Sequence, residues 1–106
     1  MSEKEKMSLV IDYILSEKMK SAKDDPKNDV VYDIALKFFR QRLNDGSMST
    51  IRTIKDFATY GNDFYLLDKQ DKSDYKDHLS ICNKIIYLAR EINSYYINKL
   101  PNARVI

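Results

Sequence analysis

Along most of this chain apolar residues recur at steps of three and four, the spacing that gathers side chains on one face of a helix. Ser2 and Glu5 have the S-x-x-E spacing of a capping box, in which side chains satisfy the free amides of a first helical turn. A first helix is therefore predicted over 3–23. Met7, Val10, Ile11, Ile14, Leu15 and Ala22 share its stripe, joined by the stem of Lys18. Asp24, Asp25 and Pro26 end it, because proline disfavours helical geometry at the residue before it.

The same proline suits the first position of a second helix, over 26–44, with Asp25 as its cap. Asn44, Asp45 and Gly46 supply its stop, glycine being able to adopt the left-handed closing conformation. Ser47 or Ser49 caps a third helix over 49–60, with Ile51, Ile54, Phe57 and Ala58 on one face and Gly61 and Asn62 at its end. A short extra helix over 63–70 turns Phe64 and Leu67 inward. Ser73 or Asp74 caps the last helix, over 74–99, before Pro101 forbids more. No stretch alternates with period two between hairpin turns, and a chain with two glycines has few places for such turns. The expected fold is all-α: one domain over 1–106, an antiparallel four-helix bundle with the short helix near 63–70 added.

Two helices carry more apolar surface than one stripe. On helix two, Val31, Ile34, Ala35 and Phe38 form one row, while Tyr32, Leu36, Phe39 and Leu43 form a second at spacings like those of a coiled-coil seam. Either the helix sits centrally and buries both rows, or the second row is a patch that attracts a partner or another copy. The last helix gathers Tyr75, His78, Leu79, Cys82, Ile85, Ile86, Ala89, Tyr96, Ile97 and Leu100 on one side, with Ile81, Leu88 and Ile92 beside them. Tyr87 falls among its polar residues, so it is expected at the surface as a candidate contact.

Composition narrows the function more than the fold. A chain of 106 residues suffices for one core but not for a core plus a roomy catalytic cleft. Cys82 is the lone cysteine, which suits a reducing compartment. No apolar run reaches the length of a signal peptide or of a membrane span, so a cytoplasmic protein is expected. The net charge of +2 conceals one basic stretch: between Leu36 and Lys55, Lys37, Arg40, Arg42, Arg52 and Lys55 face only Asp45.

Candidate chemistry is sparse. Asp74, His78 and Cys82 lie four residues apart, the row that metal ligands or an acid, base and nucleophile would need. No second histidine or cysteine completes a zinc site, and Cys82 projects onto the apolar face rather than into an electropositive pocket. Phosphate-loop, dinucleotide, zincin and nucleophile-elbow motifs do not occur. The expectation is no enzyme, metal or cofactor. The stretch Thr53–Gly61 followed by Asp63–Lys69 has the outline of a helix-turn-helix, with Ala58 at the crossing and Gly61 at the turn. Its would-be recognition helix balances acids and bases, leaving Arg40, Arg42, Arg52 and Lys55 to hold phosphates.

In layout the chain resembles the immunity proteins that protect lactic-acid bacteria against pediocin-like (class IIa) bacteriocins. The parallel covers about residues 3–95: a first helix of some twenty residues, the break at Asp25-Pro26-Lys27 before Asp29-Val-Val-Tyr-Asp-Ile-Ala-Leu36, a polar loop, and two further helices. The resemblance implies a small cytoplasmic four-helix bundle that recognises a bacteriocin-bound membrane receptor, and it carries over no functional residue. The functional expectation is a non-catalytic module that binds a protein partner or a second copy through Tyr32, Leu36, Phe39, Leu43 and Tyr87. A small DNA-binding regulator is the alternative.

Overall fold

The start and stop signals close as hydrogen bonds. In the computed structural model, which describes residues 1–21, 25–46, 49–68 and 75–99, the Ser2 hydroxyl accepts from the Glu5 amide and donates to the Glu5 carboxylate, each at 3.1 Å. This opens α1 (Glu3–Ser21). Asp25, extended at φ −152° and ψ 121°, accepts from the Lys27 amide at 2.9 Å and caps α2 (Pro26–Asp45). Gly46 closes that helix in the left-handed conformation at φ 73°, its amide donating to the Arg42 carbonyl at 3.2 Å. Ser49 accepts from the Arg52 amide at 3.2 Å at the head of α3 (Thr50–Asp68). α4 runs Tyr75–Lys99. The expected caps at Ser47, Ser73 and Asp74, the end of helix one at Lys23 and the stop at Pro101 lie outside the described residues.

α3 corrects the sequence reading. Gly61 and Asn62 do not end it, and the extra helix expected from residue 63 is its continuation. The buried face explains why, because Thr50, Thr53, Ile54, Phe57, Gly61 and Tyr65 keep the three- and four-residue rhythm straight through the glycine. A Cβ on Gly61 would stand 3.0 Å from Ile85 Cγ2 and 3.0 Å from the Phe57 ring. The glycine therefore marks where α3 and α4 approach closely, at a cost in helix propensity of about 1 kcal/mol. Phe64 packs against the core as expected, but Leu67 points outward, 84 % exposed.

The four helices run up, down, up and down. Lys18 near the end of α1 pairs with Asp33 on α2. The Glu3 carboxylate accepts from the Thr50 amide at 2.7 Å, and its carbonyl accepts from the Thr50 hydroxyl at 3.2 Å, so α1 and α3 start together. Gly61 against Ile85 and Tyr65 beside His78 run α4 back along α3, and Tyr13 stacked on Tyr95 returns it to α1. The protein is an all-α four-helix bundle, with no strand among the described residues. At its centre the Phe38 ring lies 5.3 Å from that of Phe57 and 5.4 Å from that of Phe64, and Phe39 lies 5.5 Å from Phe57. Edge-on and tilted packing of this kind favours aromatic clusters beyond their burial alone.

Candidate interaction surfaces

The second row of α2 is used internally. Leu36 and Phe39 are 5 % and 0 % exposed, and Tyr32 and Leu43 pack against the core from its edge. The reason is placement: α2 contacts all three other helices, so more than one stripe of it is covered. Leu36 and Phe39 are thus core residues, not a free patch.

Tyr32 and Tyr87 do come together, in a seam where α1, α2 and α4 meet. Both line one hollow with Glu17, Lys84 and Glu91. Glu91 also borders the adjoining hollow, beside Tyr13 and Tyr95, whose rings stack with centroids 4.3 Å apart and planes 12° apart. Burial, then the fields of Glu17 and Glu91, push the Tyr13 hydroxyl up to about 12. A hydrogen bond to Glu91 raises Tyr87 above the usual phenol value, so the Tyr13 and Tyr87 hydroxyls remain protonated at neutral pH. Glu17 is held by Lys20 at 3.0 Å, and Lys84 by Asp25 at 3.4 Å. Tyr87 is 64 % exposed, as expected. Sequence reasoning missed Tyr13 and Tyr95; the available signal was a bulky aromatic lying off the apolar stripe of its helix.

α4 is rotated relative to its expected setting. Its buried line is Ile81, Ile85, Leu88, Ala89, Ile92 and Tyr96, so residues expected beside the core occupy its centre. Leu79, Ile86 and Ile97, expected inside, are 51 %, 37 % and 41 % exposed. At 100° per residue the shift is about 60°. The cause is the close approach at Gly61, which presents Ile85 to α3 and turns Ile86 away.

The basic stretch is largely tied down. Arg52 Nε lies 3.2 Å and Arg42 Nη2 3.9 Å from the Asp56 carboxylate, which is only 9 % exposed, and the Arg42 guanidinium lies over the Phe38 ring at 5.3 Å. Lys37 pairs with Asp68 at 3.2 Å. Arg40 and Lys55 are exposed. The expected helix-turn-helix is absent, because the glycine turn it needs is an unbroken helix. Lys37, Arg42 and Arg52 thus hold ion pairs along the flank of α2 and α3.

The polar row on α4 also resolves. The Tyr65 hydroxyl lies 2.6 Å from His78 Nδ1, so a buried phenol is one partner of the histidine. Cys82 is partly buried. Burial, with a smaller contribution from Asp63, pushes its thiol up, opposite to the activation that a nucleophile needs. Asp74 lies outside the described residues. Among the described residues no three His, Cys, Asp or Glu side chains gather into a metal site, and no helix is long and apolar enough to cross a membrane. Comparison of the chain with protein-family models, with curated proteins and with solved structures finds no match in any of the three.

Proposed function

We propose that the protein is a non-catalytic helical module that acts by binding a protein partner, and that the tyrosine seam between α1, α2 and α4 is its binding surface. The observation that carries this reading is the clustering of Tyr13, Tyr32, Tyr87 and Tyr95 around Glu91. Tyrosine buries a large area with little rotamer entropy to lose, and its hydroxyl fixes orientation, which is why it anchors so many interfaces. Three of the four rings are already half-held by the bundle and Tyr87 stands out from them, so part of the ordering cost of binding is met beforehand. An immunity or inhibitor role, in which covering a partner's surface is the whole act, is the concrete form that the layout resemblance suggests.

The test is affinity capture with the intact chain, followed by reconstitution of the purified pair and titration calorimetry. Tyr87→Ala should weaken the pair at least tenfold, about 1.4 kcal/mol, with helicity and melting temperature unchanged, and Tyr32→Ala should weaken it further. A reconstituted complex indifferent to both substitutions would remove the seam from the reading.

A further inference from the structure

The opposite side of α4 carries a surface that the seam does not use. Leu79, Ile86 and Ile97 are exposed and fall within about 20° of one line at 100° per residue, along about 27 Å of helix. Arg90 lies on the same line and is exposed. The antiparallel register set by Gly61 against Ile85 brings Lys55 of α3 level with Arg90, on the flank of α3 that adjoins this side of α4. Neither Lys55 nor Arg90 has an ion-pair partner among the described residues. Glu91 faces the seam, where it accepts from Tyr87. Asp63 of α3, whose field reaches Cys82, is about two turns away in that register. The face is therefore an apolar line with two unneutralised cations toward its Ile97 end.

From this pattern we infer that the outer face of α3 and α4 docks an amphipathic helix of another protein, with carboxylates flanking its apolar stripe where it meets Lys55 and Arg90. Charge decides between this occupant and a second copy. An isologous antiparallel pairing of α4 with itself would set Leu79 opposite Ile97 of the copy and Ile86 opposite Arg90. It would also bring two Arg90 guanidinium groups within about 6 Å along the axis at the centre of the interface, and like charges desolvated there oppose association. A carboxylate-bearing helix turns the same two cations into attractive contacts. Nucleic acid is a poor fit, since two cations on either side of an apolar line make too few phosphate contacts.

The inference is independent of the seam and is tested with a defined probe. A 21-residue helical peptide with leucine at heptad positions a and d and glutamate at e and g, and its counterpart with lysine at e and g, are titrated against the intact protein by fluorescence anisotropy. The site is mapped by amide NMR shifts. The glutamate peptide should bind and shift Leu79, Ile86 and Ile97, while the lysine peptide binds at least tenfold more weakly. Lys55→Glu with Arg90→Glu should reverse that preference, and Tyr87→Ala should leave it unchanged. Both substituted residues are exposed, so circular dichroism of the variant should match wild type. Equal binding of the two peptides, no binding of either, or shifts confined to another face would overturn the inference. So would a concentration-dependent dimer, detected by sedimentation, that Ile86→Glu disrupts, because it assigns the face to a second copy.

Discussion

Tyr96 shows how a single atom can work against a well-packed site. Its side chain is fully buried (0 % exposed), yet its hydroxyl has no hydrogen-bond partner among the described residues. Burial raises its pKa, opposed by the nearby Lys6 charge. A buried hydroxyl without a partner has lost its hydration and gained nothing in return. Tyr96→Phe keeps the ring and removes that deficit, so thermal unfolding should show a gain of about 1 kcal/mol, or about 5 °C for a domain of this size. A loss of stability would mean that the hydroxyl is satisfied in solution. Asp56 illustrates the opposite case: it is almost as deeply placed, but two guanidinium groups converge on it, which makes burying its charge tolerable.

At the scale of elements, α1 and α3 are joined through Glu3. The amide of Thr50, one of the free donors at the head of α3, is capped by a carboxylate from another helix, and that hydrogen bond is the main reason that Glu3 titrates below its ordinary 4.5. A carboxylate whose folded pKa is depressed contributes stability that is complete above its unfolded value and is lost as pH falls through the folded one. Below about pH 4.5, therefore, this link weakens. Glu3→Gln retains an acceptor but not the charge, so its melting temperature should lie below that of wild type at pH 7, with the gap narrowing between pH 5 and pH 3. A constant gap would show that the charge contributes nothing.

The same scale shows what could be read beforehand. Ser2 with Glu5, Asp25 with Pro26, and Gly46 announce helix ends through bonds within a few residues, and each of these bonds forms. Gly61 misled because local chemistry treats glycine as a stop, whereas its role here depends on Ile85, a residue on another helix. The rotation of α4 has the same origin. Its apolar arc is wider than the face that a bundle can cover, so the choice of which third stays outside is made by α3. The two rows of α2 likewise could not be ranked until the neighbours on both sides were in place. Of the expected contact residues, Tyr32 and Tyr87 meet at one seam, while Leu36 and Phe39 belong to the core.

Over the whole molecule these element-level choices leave α4 with two unlike outer edges. Along one, tyrosines and Glu91 meet α1 and α2; along the other, an apolar line and two cations adjoin α3. The bundle thus carries apolar surplus along two edges of one helix. The surplus is modest. Scattered exposed apolar residues are normal on any protein, and what distinguishes these is their alignment and their position beside unpaired charge.

One comparison of unfolding transitions decides which apolar residues are spare. Leu36→Glu with Phe39→Glu and Ile86→Glu with Ile97→Glu introduce the same charges in the same number, on α2 and on α4. The first pair should abolish the cooperative thermal transition and most of the helical signal, since two carboxylates would enter the core. The second pair should leave a sharp transition within a few degrees of wild type. If instead the α4 pair unfolds the protein and the α2 pair does not, the surplus lies on α2, and the docking face proposed on α3 and α4 falls with it.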